Sequence, residues 1–323
     1  MKNCLYMVIP CYNEQEVLSE TATRLKKKME LLVREGKISK ASRITFVNDG
    51  SNDKTWEVIS GLHKIDHLYC GINLSMNKGH QNALLAGIMT VKDYADMVIT
   101  MDVDLQDDIN AIDEMVDKYL DGCDIVYGVR SSRDRDSFFK RVSAEGYYRL
   151  MNTLGAKTIF NHADFRLMSK RAIEGLAQFN EVNLFLRGIV PMIGYRSDSV
   201  YYERGVRFAG KSKYPLNKVL SFAWEGITSF SIKPIRMIST LGAIIFTLSI
   251  GMLIYILIRY FTGETTVGWA SVAVSVWSIG GLILLSLGVV GEYIGKIYLE
   301  TKKRPHYIVE NFLSDYGNNE DEC

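Results

Sequence analysis

Two apolar stretches toward the C-terminal end set the hardest constraint on this chain. Residues 235–258 read IRMISTLGAIIFTLSIGMLIYILI, with Arg236 the only charge. Residues 267–291 read VGWASVAVSVWSIGGLILLSLGVVG and carry no charge. Each supplies the roughly 20 apolar residues a helix needs to cross a bilayer core. Two such helices have no place in the interior of a soluble domain of this size. A hairpin of membrane spans is therefore expected, over about 235–260 and 267–291, within a segment 233–295. Lys211, Lys213, Lys218, Lys233 and Arg236 lie at its entry, Lys296, Lys302, Lys303 and Arg304 at its exit, and only Arg259 between the spans. The excess of basic residues on one side orients the hairpin with both termini cytoplasmic. The chain reads as a multi-pass protein of the cell's inner (plasma) membrane.

Residues 1–214 read differently, as an α/β domain. Strands are expected at Leu5–Ile9, Arg43–Asn48, Tyr69–Leu74, Met97–Met101 and Asp124–Gly128, with helical patterns between them. Asn13 or Glu14 opens the first helix, which runs to about Arg34 with Lys26, Lys27 and Lys28 as a solvated face. Asp49 and Gly50 turn the chain, and Ser51, Asn52 or Asp53 caps the second helix. Gly79 lets the backbone turn and approach a ligand. Alternation of this kind gives a mostly parallel sheet covered on both faces, with ligands beyond the carboxyl ends of its strands. Four polar clusters fall on that rim: Asn13/Glu14, Asn48/Asp49, Asn77/Lys78 and Asp102/Asp104. A helix is expected from Asn110 to Leu120, and a strand from Val200 to Arg207. Residues 138–154 form an amphipathic pattern that either a membrane surface or the domain core can cover. Residues 215–232 read as an interfacial amphipathic helix, and 296–323 as a cytoplasmic tail ending in a disordered NNEDEC.

The stretch MDVDLQDD carries the chemistry. Carboxylates are costly to bury unless paired or bound to a metal. In extended chain Asp102 and Asp104 point to one side, as hard oxygen ligands for Mg²⁺ or Mn²⁺ carrying phosphate oxygens. Asp107 or Asp108 is expected to cap the following helix instead. A net charge of +1 gives no field to attract nucleic acid. Five cysteines without CxxC spacing fit free thiols in a reducing compartment. MKNCLYMVIPCYNE does not read as a signal peptide, since its apolar run is short. His80, His162 and His306 lack metal-pair spacing and read as structural or surface residues.

The ordered set IPCYNE, VNDGSNDKTW, NKGHQNAL, MDVDLQDD, HADFR and GKSKY, followed by two spans, resembles the membrane-associated family 2 glycosyltransferases that charge polyprenyl phosphate. These are the bactoprenol glucosyltransferases, with dolichol-phosphate mannose synthase more distant. The resemblance covers nearly the whole chain up to Tyr307. It implies a GT-A (Rossmann-like) cytoplasmic domain, a divalent metal, a nucleoside diphosphate sugar and a lipid phosphate acceptor, and is compatible with a homotetramer packed through its spans. By position, Pro10, Tyr12 and Glu14 match the nucleoside loop and Asp49 the carboxylate that reads the base, with Lys78 on the same rim. Asp102 and Asp104 match the DxD metal pair, with Gln106 beside it. Arg130 and Arg133 fall where phosphate-binding arginines are placed. Asp164 and Arg166 match the motif facing sugar and acceptor, and Arg204, Lys211 and Lys213 a later basic stretch.

The reaction so implied is inverting transfer of a hexose, by default from UDP-glucose, to undecaprenyl phosphate. GlcNAc, galactose, mannose or a modified arabinose are alternative sugars. The acceptor phosphate, with a second pKa of about 6, is ionised without a general base. Asp164 then reads as a positioner first and a base second. A processive polysaccharide synthase is disfavoured by the small number of spans and the lack of a QxxRW motif. A non-catalytic nucleotide-sugar-binding membrane protein is disfavoured by the intact acidic pair.

Overall fold

The structure is a computed structural model that describes residues 3–131, 162–179, 181, 185–203, 205, isolated positions between 235 and 262, and 268–314. The chain divides into two units. One comprises Met1–Arg149, Lys157–Pro215 and Arg304–Cys323; the other comprises Leu150–Ala156 and Leu216–Lys303.

The first unit is built on an eight-stranded sheet. In chain order its elements are β1 (Leu5–Cys11), α1 (Leu18–Arg34), β2 (Arg43–Asn48), α2 (Thr55–Ile65), β3 (Tyr69–Leu74), α3 (His80–Val91), β4 (Met97–Thr100), α4 (Ala111–Leu120) and β5 (Ile125–Arg130). Then follow β6 (His162–Ser169), α5 (Lys170–Leu176), α6 (Leu186–Met192), β7 (Ser197–Tyr202) and, after the second unit, β8 (Val309–Leu313). The sheet order is β7-β5-β6-β4-β1-β2-β3-β8. β1 and β3 are wholly buried runs, and β2 is buried from Ile44 onward, as expected of strands covered on both faces. β3, β2, β1 and β4 are mutually parallel. The chain moves from β1 outward to β3 and then crosses back to β4 on β1's other side. The crevice between the carboxyl ends of β1 and β4 is thus the topological switch point where such sheets bind ligands.

β6 is not among the expected strands, and it carries both Asp164 and Arg166. It pairs antiparallel with both β4 and β5, with Thr100 opposite Arg166 and Val129 opposite His162. Its reversed direction brings its first residues to the rim where β4 and β5 end. The segment after the apolar stretch, expected as a tail, contains β8, which closes the sheet antiparallel to β3.

Three local expectations change. α1 begins at Leu18 rather than at Asn13 or Glu14, because those residues are used in the rim loop. Of the three lysines on α1, only Lys27 is exposed. Lys26 Nζ meets Asp66 Oδ2 at 2.5 Å, and buried Lys28 reaches Asp113 Oδ2 at 2.5 Å, clipping α1 to α4. Neither Asp107 nor Asp108 caps α4, whose N-cap is Asn110 without a side-chain bond.

In the second unit, α7 (Trp269–Lys302) is one unbroken helix of 34 residues, about 50 Å long. Its Ile279–Lys302 portion contains an 18-residue window of mean hydropathy 1.6 and is long and apolar enough to cross a membrane. It starts close to the expected second span but continues past residue 291. The expected first span falls on residues of which only isolated positions are described. The amphipathic segments at 138–154 and 215–232 lie outside the described residues, as does NNEDEC.

α3 packs closely on β1 and β2 through Gly87. A Cβ there would strike Val8 Cγ1 and come within 2.8 Å of Val47 Cγ2. Helix propensity favours Ala over Gly by up to about 1 kcal/mol, while overpacking costs about 1–3 kcal/mol. Gly87→Ala is therefore expected to destabilise by about 1–2 kcal/mol, read as a lower denaturation midpoint; an unchanged or raised midpoint contradicts the packing.

Candidate active site

Loops at the carboxyl ends of β1 and β2 are laced together. Asn13, at φ +55°, donates its N–H to Ser51 Oγ (3.0 Å) and accepts from the N–H of Asn52 (2.8 Å). Glu14 N–H donates to Thr55 Oγ1 at 2.9 Å. Tyr12 emerges from this loop with its ring exposed, while Pro10 remains inside β1. Asn and Asp tolerate the left-handed region better than other chiral residues, which suits Asn13 to its place.

Asp49 organises the next loop. It is buried, and its two carboxylate oxygens accept the N–H groups of Lys78 (2.7 Å) and Gly79 (2.9 Å). Burial raises its pKa, partly offset by those two donors. Gly79 has φ +84° and opens α3, so the turn that presents His80 needs glycine for its backbone, as expected. Lys78 enters this arrangement through its main chain.

The DVD stretch is not extended: the chain turns at Val103 and Leu105 sits at φ +56°. Asp104 is buried and its Oδ1 accepts the Gln106 N–H at 3.2 Å. Asp102 is half-exposed and lies 3.6 Å from His80 Nε2. Burial of its carboxylate and the charges of Asp107, Asp164 and Asp104, offset in part by His80, push its pKa up to about 6. Asp107 is an anchor: its Oδ1 accepts from Tyr202 Oη at 2.5 Å and from Arg130 Nη2 at 3.2 Å. Its buried Oδ2 has no hydrogen-bond partner. Asp108 Oδ1 accepts the Asn110 N–H instead. Gln106 C=O accepts the Gly205 N–H at 2.8 Å, tying the chain beyond β7 to this loop.

Facing the acids on β6 is a second cluster. Asp164 is buried, and Arg166 Nη2 meets its Oδ1 at 2.7 Å. Arg187 on α6 grips the same carboxylate at two points, Nε to Oδ1 at 3.1 Å and Nη2 to Oδ2 at 2.9 Å. His80 Nε2 lies 3.3 Å from Oδ2. Burial alone would raise the Asp164 pKa, but Arg187, His80 and Arg166 outweigh it and hold the carboxyl well below its usual range. Burial likewise works to lower the His80 pKa, yet Asp164 and Asp102 leave it raised.

The expected residues Asp49, Asp102, Asp104, Gln106 and Asp164 thus all lie on one rim. Arg166 is 1% exposed and supports Asp164 from beneath, and Arg130 lies against Asp107. Arg133, Arg204, Lys211 and Lys213 lie outside the described residues. His80, Gln81 and Arg187 were missed as site residues. The signal for His80 and Gln81 was present in the rim motif NKGHQNAL. None pointed to Arg187, whose carboxylate partner is 23 positions away.

Among the described residues, no group of three or more His, Cys, Asp or Glu forms a metal cage. The donors still fit a hard divalent cation held by one or two carboxylates and completed by substrate phosphates. Burial first, and then the charges of Asp107, Asp164 and Asp104, raise the Asp102 pKa, and a cation bound there would offset both by favouring the ionised form.

Two stability tests follow from these charges. Asp102 ionises at about 6 when folded and near 3.9 when unfolded, so its charge opposes folding above pH ~6 and has no effect below pH ~4. In metal-free protein, Asp102→Asn should raise Tm above wild type at neutral pH, with the difference vanishing near pH ~4; Mg²⁺ or Mn²⁺ should raise Tm of wild type only. Asp164 has the opposite sign: its stabilisation is present above pH ~4 and is lost as pH falls through its depressed folded pKa. Asp164→Asn, which leaves Arg166 buried beside a neutral amide, should cost about 3–5 kcal/mol in urea unfolding at neutral pH.

A sequence model of glycosyl transferase family 2 matches residues 6–176. The glycosyltransferase YkoT of Bacillus subtilis (strain 168) is 52% identical over 306 residues, 95% of this chain and 91% of its own length. The bactoprenol glucosyl transferase of Shigella phage SfV is 38% identical over 309 residues, 94% of this chain and 97% of its own. A prophage bactoprenol glucosyl transferase homolog of Escherichia coli (strain K12) is 37% identical over 311 residues, 94% and 97% of the two chains. With a GT-A-like α/β sheet, an acid loop at its switch point and relatives matched along nearly their full length, the chain belongs to glycosyl transferase family 2.

Proposed function

We propose that this glycosyltransferase transfers a hexosyl group, glucose by default, from a nucleoside diphosphate sugar to polyprenyl phosphate, with inversion and dependence on a divalent metal. The observation that carries the reading is the acid loop Asp102–Asp104 at the β1/β4 crevice, in a chain whose near-full-length relatives include bactoprenol glucosyl transferases. The rim of β1, β2 and β3, with Tyr12, Glu14 and Asp49, would seat the nucleoside. Asp102 and Asp104 would hold the metal. When bound, it supplies Lewis-acid stabilisation of the charge that grows on the departing diphosphate.

The protein's own groups set the rest. Attack by an acceptor phosphate oxygen on the anomeric carbon forms the new C–O bond as the bond to the diphosphate breaks. The acceptor needs no proton removed. Asp164, held ionised by two arginines, is a poor base at neutral pH and serves to fix Arg187 and His80 at the cleft. Covalent catalysis finds no support in this geometry, and a single displacement inverts. The long apolar helix α7 supports a membrane anchor; within the same reading a preceding span completes a hairpin, with both termini cytoplasmic. An enzyme so anchored meets a lipid acceptor in its own plane at high effective concentration.

Mass spectrometry of the lipid product, from a panel of nucleoside diphosphate sugars with undecaprenyl phosphate, tests the assignment; formation of no lipid-linked monosaccharide with any donor refutes it. Asp102→Ala and Asp104→Ala are each expected to lower transfer by about 100-fold or more while the protein remains folded, and excess EDTA should do the same to wild type. Full activity of wild type in EDTA would remove the metal from the mechanism.

A further inference from the structure

Three partly exposed side chains stand around buried Asp164 on the rim. Asp102 is 37%, His80 39% and Arg187 38% exposed, against 5% for Asp164. His80 Nε2 lies 3.6 Å from Asp102 Oδ1 and 3.3 Å from Asp164 Oδ2, and Arg187 Nη2 lies 2.9 Å from that same Oδ2. His80 thus links Asp102 to Asp164, and Arg187 reaches the same Asp164 carboxylate from α6.

The placement of Arg187 is over-determined. It follows Leu186, the first residue of α6. The Leu186 N–H donates to Gln81 Oε1 at 3.0 Å, and the Leu186 C=O accepts from buried Arg166 Nη1 at 3.2 Å. Gln81 Nε2 in turn donates to Asp164 Oδ2 at 3.4 Å. Two polar side chains from α3 and β6 thus clamp the backbone one residue before Arg187, and Asp164 fixes its guanidinium plane at two points. A long cationic side chain held this way at a half-exposed position loses little entropy on meeting a ligand. Planar guanidinium is suited to phosphate oxygens.

We propose that Arg187 binds a non-bridging phosphate oxygen of a substrate during transfer, as a cation supplied by α6 rather than by the loop that carries the acid pair. This rests on the lipid-phosphate transferase reading. In a direct displacement, two phosphorus-bearing groups approach one anomeric carbon from opposite sides. The acid pair suits a metal for only one of them.

The test uses the full chain in detergent micelles, with the Michaelis constant for undecaprenyl phosphate and the dissociation constant for UDP with Mn²⁺ measured side by side. Arg187→Gln is expected to weaken one of the two by about tenfold or more, leaving the other within about twofold. A shift confined to the lipid assigns the acceptor phosphate; a shift confined to UDP assigns the donor phosphate. Arg187→Lys, which keeps the charge without the two-point plane, should recover part of the loss. Both constants unchanged, or a fall in kcat and Tm with neither constant moved, would make Arg187 a prop for Asp164 alone and overturn the proposal. If the Gln variant does not fold, Arg187→Lys carries the test: a few-fold shift in one constant is expected, and none refutes it. A wild type that makes no lipid-linked sugar refutes the transferase reading, while the UDP measurement still reports on Arg187.

Discussion

A single buried carboxylate, Asp164, is the constraint around which the cleft is assembled. It joins β6 to α6 through Arg187, to α3 through His80 and Gln81, and to its own strand through Arg166. Its main-chain oxygen accepts from Thr100 Oγ1 at the end of β4. Charges taken out of water repay their desolvation only when geometry and partners are good, and breaking such a set strands whatever charge remains. The arrangement therefore has little freedom. The positions of His80 and Arg187 in the open cleft follow from a carboxylate that solvent scarcely reaches.

The strand pattern of the first half was legible because buried parallel strands are short apolar runs that end in polar turns. Arg43–Asn48 and Tyr69–Leu74 have the bounds expected, and the rim clusters at Asp49 and Asp102 follow from strand direction alone. β6 was not legible. HADFRLMS places Asp and Arg inside a strand, where composition argues for a loop, and their burial is made tolerable by their mutual ion pair together with the bonds they make to α3 and α6. β8 was hidden for another reason. VENFL carries exposed Glu310 and Asn311, being an edge strand with one covered face. Asp107 reads as a helix cap by position, but Tyr202, nearly a hundred residues later, draws it inside. Long-range pairing of this kind leaves no trace in local spacing.

The same contrast separates what the motifs carry from what the packing adds. Asp49 was expected to read a base, yet both of its oxygens hold main-chain N–H groups of the next loop. The two roles are compatible, since a carboxylate oxygen has more than one acceptor direction. Its structural task is the one visible in the packing: it fixes the glycine turn that delivers His80. Lys78 likewise contributes its backbone to this turn. A motif residue at a rim can thus act on a ligand through the loop it holds as well as by touching it.

Strand direction finally accounts for how one rim comes to hold two opposite charges. Parallel strands β1 and β4 end at the switch point and deliver Asp102 and Asp104 there. A further parallel strand beside β4 would send its leading residues to the far edge of the sheet. β6 runs the other way, so its first residues, Asp164 among them, arrive where β4 finishes. Acidic and guanidinium-bearing groups then meet on the same rim, with His80 between Asp102 and Asp164. In the proposed transfer one anion leaves as another arrives, which calls for two sites of anion stabilisation; an antiparallel insertion into a parallel sheet would place a metal-holding acid pair and an arginine at a single edge.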